Sequence, residues 1–126
     1  MLAVDTNVLV RLLARDDLKQ ATAADHFVAK GAWVSHLVLA ETMGVLESVY
    51  ERTAAQLTAA LDLLLAHESL VLQDADTVSA ALVHFRAKTA LGFSDCLVLE
   101  IARKAGHLPL GTFDKALSKL TGTHKL

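Results

Sequence analysis

The sequence predicts an α/β fold with a mainly parallel sheet and helices on both of its faces. Short apolar runs recur along the 126-residue chain, and longer segments with the apolar spacing of helices separate them. No repeat, low-complexity tract or linker rich in proline and glycine divides the sequence. We therefore expect a single domain over residues 1–126.

The apolar runs are too short for helices, and we expect them to form buried strands at residues 2–4, 33–34, 70–72 and 108–110. Helical spacing predicts helices at residues 6–13, 18–28, 37–50, 54–66, 77–87 and 95–105, with a short helix after Asp114. Strands and helices alternate, as in parallel α/β proteins.

The last long helix is apolar around most of its circumference, with only Glu100, Arg103 and Lys104 marking a solvated side. We expect it to be buried in the centre of the fold. Ser94 is the predicted N-cap, and Gly106 suits the left-handed position after the last turn.

Composition excludes several classes of protein. The longest stretch without Asp, Glu, Lys or Arg is ten residues, whereas a membrane-spanning helix needs about 18 or more apolar residues. The N-terminus lacks the charged and apolar regions of a signal peptide, so we expect a cytoplasmic protein. Cys96 is the only cysteine, which excludes an intrachain disulfide and favours a small apolar core residue.

Four carboxylates are candidates for chemistry: Asp5, Glu41, Asp95 and Asp114. Asp5 and Asp114 each follow a predicted strand, and open α/β sheets bind ligands at the carboxyl ends of their strands. Asp95 opens a helix whose N-terminus is expected at the same edge. The pattern therefore predicts three acids at one edge of the sheet.

Glu41 has apolar neighbours at helical spacing, namely Leu37, Val38 and Val45, so we expect its charge on the core-facing side of its helix. A buried carboxylate must be protonated, hydrogen-bonded or matched by a cation. Mg²⁺ or Mn²⁺, which prefer oxygen ligands, would satisfy the clustered acids.

A capping role is the alternative for three of these acids. Asp5, Asp95 and Asp114 each precede or open a helix, where aspartate commonly accepts hydrogen bonds from free amides. The two roles are compatible. Glu41 as a fourth acid on an apolar face favours the functional interpretation, because capping does not require it.

Four segments together resemble those of PIN domains and, within them, the VapC-type toxins of bacterial toxin–antitoxin pairs. They are VDTNVLVR at residues 4–11, VSHLVLAE at 34–41, FSDCL at 93–97 and TFDKAL at 112–117. Arg15, Asp16 and Asp17 after the first helix are also similar to a feature of these toxins. The resemblance covers nearly the whole chain. It implies a three-layer α/β/α fold with a mainly parallel central sheet of four to five strands, since the polar residues 121–126 leave the fifth strand open.

PIN-domain toxins are metal-dependent endoribonucleases, usually homodimers, that a cognate antitoxin holds inactive. The resemblance implies that Asp5, Glu41, Asp95 and Asp114 hold one or two Mg²⁺ or Mn²⁺ ions, with Asn7 and Thr112 in support. It also implies an RNA substrate, a VapB-type antitoxin and a second copy of the chain as partners. A catalytically silent PIN-like module for dimerisation or antitoxin binding is the alternative, and the presence of all four acids argues against it.

Charge and aromatic content limit how RNA could be held. The formal net charge is −2, although the 14 acidic residues less the four candidate ligands leave 10 against 12 basic residues. We expect weak, salt-sensitive binding, with backbone contacts from basic residues such as Arg11, Arg15, Arg86, Lys88 and Lys115. Trp33 and most phenylalanines are expected in the core, which leaves no stacking platform.

Two other enzymes with acidic α/β pockets fit poorly. A phosphoacceptor receiver domain needs an acidic pair near the end of the first strand, where Asp5 stands alone. A haloacid-dehalogenase-type phosphatase needs a second aspartate two residues later, where this chain has Asn7.

Overall fold

The computed structural model describes residues 1–88 and 90–126, and the elements alternate as the sequence predicts. Their order is β1 (Leu2–Ala3), α1 (Thr6–Ala14), α2 (Leu18–Val28), β2 (Ala32–Val34), α3 (His36–Ser48), α4 (Ala54–Ala66), β3 (Leu70–Leu72), α5 (Ala75–Ala87), α6 (Phe93–Ala105), β4 (Leu110–Thr112), a 3₁₀ turn (Leu117–Lys119) and β5 (Thr123–Lys125). Every strand pairing between these elements is parallel, which confirms the α/β class. The polar C-terminal segment does form a fifth strand.

The chain divides into two compact units, of which the first is Met1–Ala75. Its sheet has the order β1–β2–β3, with Leu2 beside Ala32 and Val34 beside Leu72. Helix α1 packs against α2 and α3, and α4 packs against β3. These helices bury aliphatic side chains and form the core of this unit.

The second unit is Asp76–Leu126. Strands β4 and β5 pair with Leu110 beside Thr123 and Thr112 beside Lys125. In its core the rings of Phe85 and Phe93 meet edge to face, with 6.0 Å between their centroids. A single domain over residues 1–126 stays a prediction.

Side-chain caps begin four of the helices. Asp5, Asp17, Ser35 and Thr53 each accept a hydrogen bond from the backbone amide three residues later. At Thr53 the bond is reciprocal, because Gln56 accepts a bond from the Thr53 amide in return. Polar residues directly before apolar helical segments therefore set these helix starts, as the sequence indicates.

The start of α6 differs from the prediction. The helix begins at Phe93 after Gly92, which has no side chain to cap it, so Ser94 as the N-cap was wrong. Phe93 is buried, and its packing against Phe85 places the backbone in the first helical turn. The predicted end is confirmed, because Gly106 has the left-handed conformation with φ of 82°.

Burial of α6 is one-sided. Val98 is 49% exposed and Ile101 is 38% exposed, so the expectation that only Glu100, Arg103 and Lys104 mark the solvated side was wrong. Its buried face carries Phe93, Cys96, Leu97, Leu99 and, against expectation, Glu100.

Strands β2 and β3 alternate in burial and are not covered on both faces, and both residues of β1 are exposed. Val34 and Leu72 are buried, whereas Trp33 and Val71 lie on an exposed face. The expectations of fully buried strands and of Trp33 in the core were therefore wrong. Successive side chains of a strand face opposite sides, and the apolar runs concealed that alternation.

The phenylalanines divide evenly between core and surface. Phe85 and Phe93 are buried, while Phe27 and Phe113 are exposed, so the expectation that most lie in the core was wrong. Over residues 1–88 and 90–126, no helix has the length and apolarity needed to cross a membrane.

Candidate active-site carboxylates

Asp5 follows buried Val4 at the carboxyl end of β1 and is the N-cap of α1. Its Oδ1 accepts a hydrogen bond from the Val8 amide at 3.1 Å, so the predicted capping role is confirmed. The side chain is exposed, and Oδ2 has no hydrogen-bond partner among the described residues. One carboxylate oxygen therefore fixes the side chain while the other is accessible to a ligand.

A cleft of about 410 Å³ lies beside Asp5, between α1 and α2 of the first unit. Its walls include Asp5, Asn7, Arg11, Gln20 and Phe27. The Asn7 side chain is exposed and makes no hydrogen bond within the described residues. The structure thus places two of the predicted site residues, Asp5 and Asn7, on one cleft.

Arg11 is held in the wall of this cleft by three partners. Its Nη1 donates to Asp16 Oδ1 at 3.1 Å and to the Tyr50 hydroxyl at 3.0 Å, and its Nε donates to Gln20. Tyr50 in turn donates to Asp16 Oδ2 at 2.8 Å. The hydrogen bond from Tyr50 and the charge of Arg11 lower the pKa of the Asp16 carboxyl.

Arg15 has a different setting. It donates two hydrogen bonds to Asp25, at 3.1 and 2.7 Å, and these lower the pKa of the Asp25 carboxyl. Both side chains of the pair are about half exposed. Of these two candidate RNA contacts, Arg11 is the one that lines the cleft beside Asp5.

Glu41 lies on α3, and its side chain is exposed, so its predicted place on the core-facing side was wrong. The buried stripe of α3 is Leu39, Thr42, Met43 and Leu46, which leaves Leu37 69% exposed. Thr42 belongs to this stripe because its hydroxyl donates to the Val38 carbonyl at 2.7 Å. Glu41 itself has no hydrogen bond or ion pair within the described residues.

Asp95 lies in the first turn of α6 and is partly buried. A Cβ built on Gly92 would lie 3.7 Å from Asp95 Oδ2, which places the carboxylate near the open N-terminus of the helix. The partial positive charge of a helix N-terminus favours a carboxylate there. Its side chain has no hydrogen-bond partner among the described residues, so both oxygens are available to a ligand.

Cys96, the next residue, is fully buried, which confirms its predicted role as a core residue. Burial, reinforced by the charge of Asp95, raises the pKa of the thiol to about 11. The thiolate fraction is therefore small at neutral pH, and no nucleophilic role follows.

Asp114 follows β4 and is exposed. Its amide donates to Thr112 Oγ1 at 3.0 Å, and its Oδ1 accepts a hydrogen bond from the Leu117 amide at 3.0 Å. The structure therefore brings Thr112 and Asp114 together, as it does Asp5 and Asn7. Asp114 Oδ2 has no partner within the described residues.

The donor chemistry of the four acids fits a divalent cation. Each carboxylate keeps at least one oxygen without a hydrogen-bond partner in the described part of the chain, and Mg²⁺ and Mn²⁺ take oxygen ligands. Among residues 1–88 and 90–126 no three His, Cys, Asp or Glu side chains are gathered as a metal-binding group. The assignment of a shared metal site stays a prediction.

Glu100 is a charged residue that the sequence analysis misplaced, since it is only 7% exposed. Its Oε2 lies 2.9 Å from His84 Nε2, and both of its oxygens accept from Arg103 Nε at 3.2 Å. Phe93, Cys96 and Leu97 precede it by seven, four and three residues, which is the spacing of one helix face. Apolar residues at the same spacing flank the exposed Glu41, so this signal by itself does not distinguish the two residues.

Comparison with known proteins identifies a family whose model matches most of the chain. A family model described as PIN domain matches residues 2–122, which include parts of both units. The structure of VapC20 from Mycobacterium tuberculosis, a toxin that cleaves the sarcin–ricin loop, is similar with 20% sequence identity and a TM-score of 0.45. The match covers 100% of this chain and 98% of that one. No curated protein sequence matches the chain.

Proposed function

The chain belongs to the PIN domain family, and from this membership we propose that it is a divalent-metal-dependent endoribonuclease, the toxin of a toxin–antitoxin pair. It hydrolyses phosphodiester bonds of RNA. The observation that carries the proposal is the PIN match over residues 2–122, a range that contains all four candidate carboxylates.

Asp5, Glu41, Asp95 and Asp114 are the proposed ligands of one or two Mg²⁺ or Mn²⁺ ions. The PIN match over residues 2–122, which contains all four acids, supports this assignment, and each acid has a carboxylate oxygen without a hydrogen-bond partner among the described residues. A bound divalent ion would stabilise the negative charge of the transition state and favour ionisation of water.

The remaining residues of the proposed site hold these ligands in place. The α1 cap keeps Asp5 Oδ1 turned to the helix and leaves Oδ2 for the ion. The unpartnered amide of Asn7, on the same cleft, is suited to orient water or an RNA oxygen. Thr112 fixes the backbone of Asp114 through its amide.

RNA is held mainly through its phosphates in this proposal. Arg11 lines the cleft with its guanidinium fixed by Asp16 and Tyr50, so it presents a positioned charge beside Asp5. With a formal net charge of −2, the protein should bind RNA weakly, and binding should weaken further with salt.

Two protein partners complete the proposal: a VapB-type antitoxin that masks the site, and a second copy of the chain. The resemblance to VapC-type toxins is what supports both. Co-expression with the product of an adjacent antitoxin gene, followed by size measurement of the purified complex, tests them together.

The enzymatic proposal is tested with purified protein and a labelled structured RNA, with Mg²⁺, with Mn²⁺ and with a chelator. We expect cleavage that requires the metal and falls at least about 100-fold in Asp5→Asn, because several kcal/mol of transition-state stabilisation are lost. Asp17→Asn is the matched control, since Asp17 also caps a helix through a 3.1 Å bond to the amide three residues later.

Asparagine caps helices about as well as aspartate, so both variants should keep the stability of the parent protein. Equal cleavage by Asp5→Asn and Asp17→Asn would contradict the role of Asp5. A wild-type protein that binds an antitoxin yet cleaves no RNA with either metal would favour the catalytically silent module.

A further inference from the structure

We propose that Arg103 is a positioning residue: its guanidinium fixes the chain segment that carries Asp114 to helix α6, which carries Asp95. The inference rests on the proposed function, in which both acids hold the metal. All the contacts that support it lie within the second unit.

Glu100 anchors the guanidinium. Only 8% of its side chain is exposed, and both of its oxygens accept hydrogen bonds from Arg103 Nε at 3.2 Å. His84 of α5 lies on the other side, with Nε2 at 2.9 Å from Glu100 Oε2. A buried carboxylate held by two helices gives Arg103 a fixed orientation, because charge-assisted bonds strengthen where water is excluded.

The far end of the guanidinium holds the turn before β5. Arg103 Nη2 donates to the Thr121 carbonyl at 2.7 Å. Gly122 follows with φ of 96°, and a Cβ at that position would lie 3.0 Å from the same Nη2. A side chain there would displace the guanidinium, so glycine both permits the turn and admits the close approach of Arg103.

From this turn, hydrogen bonds lead to Asp114. Two residues beyond Thr121, the Thr123 hydroxyl lies 3.0 Å from the Ser118 carbonyl and 2.7 Å from the Leu120 carbonyl. The Ser118 amide in turn donates to the Asp114 carbonyl at 3.0 Å. These hydrogen bonds therefore connect residues 114–118, which begin at Asp114, to the turn that Arg103 holds.

The other side of Asp114 is tied to the same turn through the sheet. The Leu110 amide donates to the Gly122 carbonyl at 2.8 Å, and the Leu126 amide donates to the Thr112 carbonyl at 2.9 Å. Thr112 then accepts the bond from the Asp114 amide. Movement of the turn would consequently reach Asp114 from both directions.

Arg103 and Asp95 occupy opposite ends of one rigid helix. Arg103 lies in the last turn of α6 and Asp95 in the first, eight residues earlier, a distance of about 12 Å along the axis. A bond from Arg103 to Thr121 therefore links the helix of one proposed ligand to the segment of another.

Lysine cannot replace arginine in this link. The guanidinium bonds Glu100 through Nε and Thr121 through Nη2 at the same time, whereas a lysine ammonium is a single point of donation. Arg103→Lys therefore keeps the positive charge beside Glu100 and removes the simultaneous link to the turn. The variant should fold, because Glu100 keeps a cationic partner.

The test compares Arg103→Lys with the wild type in RNA cleavage as a function of Mg²⁺ concentration. We expect the half-maximal Mg²⁺ concentration to rise about tenfold, with the rate at saturating Mg²⁺ within about twofold of the wild type. Arg52→Lys is the control, because the Arg52 side chain has no hydrogen bond within the described residues, and it should leave both values unchanged.

A second measurement requires no catalysis. Amide hydrogen exchange of the metal-free protein should show Leu117 and Leu126 exchanging about tenfold faster in Arg103→Lys, because their acceptors belong to the held segment. The amides of α1 should be unchanged. Perturbation by Mg²⁺ of the Asp114 amide resonance should require about tenfold more metal.

The outcomes separate this inference from the proposed function. If the wild type shows no metal-dependent cleavage, the proposed function fails and the positioning role fails with it. If the wild type cleaves RNA but Arg103→Lys has the same half-maximal Mg²⁺ and the same exchange rates, only the positioning role is overturned. A lower melting temperature with unchanged metal dependence would assign Arg103 to stability alone.

Discussion

The two units hold their charged side chains in different ways. In the first unit, Arg11 with Asp16 and Arg15 with Asp25 form exposed pairs between residues five and ten positions apart. In the second unit, buried Glu100 joins His84 and Arg103, and Arg103 continues to Thr121, 18 residues further along the chain. The first arrangement orders a local surface, whereas the second connects two helices and a turn.

This difference indicates how far the structural effect of removing one interaction should extend. Water screens an exposed ion pair, so its removal changes little beyond the pair itself. A buried carboxylate that loses its partners is still shielded from water. The folded state is therefore destabilised, or it rearranges to expose the charge. Asp95 and Asp114 in the second unit should therefore depend on distant residues, whereas Asp5 in the first unit should depend on its own helix cap.

The largest effect is expected for Asp95→Asn, which tests whether the second unit supplies a metal ligand. RNA cleavage should fall at least about 100-fold, because transition-state charge loses its compensation. Mg²⁺ should raise the melting temperature of the wild type more than that of this variant, since binding to the folded state stabilises it.

Asp76→Asn is the matched control for Asp95→Asn. Asp76 is also an acid in the first turn of a helix, α5, so both substitutions remove the same interaction with a helix terminus. Equal cleavage and equal thermal shifts in the two variants would refute the ligand role of Asp95.

Loss of a partner of the buried anchor Glu100 should have the next largest effect, on stability. Arg103→Ala should lower the free energy of unfolding by about 2 kcal/mol, because the buried Glu100 carboxylate loses both hydrogen bonds from Arg103 and keeps only His84. Asp25→Ala, which breaks the exposed pair with Arg15, should leave urea unfolding nearly unchanged. Similar losses in both variants would remove the contrast between the two units.

Glu41→Gln should have a smaller effect on cleavage, about tenfold, if Glu41 acts through water as an outer ligand. Glu47→Gln is the control on the same helix, because Glu47 is exposed as well and has no partner within the described residues. Initial rates at several Mg²⁺ concentrations measure the difference. Identical rates would leave Glu41 as a surface residue of α3.

The smallest effect is expected on the pKa of Asp16, a carboxyl of the first unit that Tyr50 and Arg11 contact. The bond from Tyr50 helps to lower the pKa of Asp16, so Tyr50→Phe should raise that pKa toward the ordinary value of about 3.9. A folded-state pKa below the unfolded value contributes stability above pH ~4 that is lost as the pH falls through the folded pKa. NMR titration of the Asp16 carboxyl measures the change, and an unaltered pKa would show that the Tyr50 hydrogen bond does not contribute to lowering it.

Helix positions followed from the sequence because their signals are local. The polar caps Asp5, Asp17 and Thr53 precede apolar helical segments, and the predicted start and end of α2 at residues 18 and 28 are those of the structure. Ser94 shows the limit of such signals. Burial of Phe93, a tertiary interaction, moved the start of α6 ahead of the residue that could have capped it.

Burial of individual charges was harder to predict. Glu41 and Glu100 both lie among apolar neighbours on helices, yet Glu41 is exposed and Glu100 is buried. Periodicity gives the relative positions of residues on a helix, but the face that meets the core depends on which other elements pack there. The contacts with His84 and Arg103 offset the cost of burying the Glu100 carboxylate, and no local pattern identifies His84 as its partner.

The sequence alone determined the order of strands and helices and most helix boundaries, because the apolar spacing and polar residues that signal each element lie within a few positions of one another. Tertiary structure decided which carboxylate is buried, that the polar C-terminal segment pairs as β5, and that Arg103 reaches the turn before it. Those outcomes depend on contacts between residues far apart in the chain. Their free energy exists only once the elements have packed.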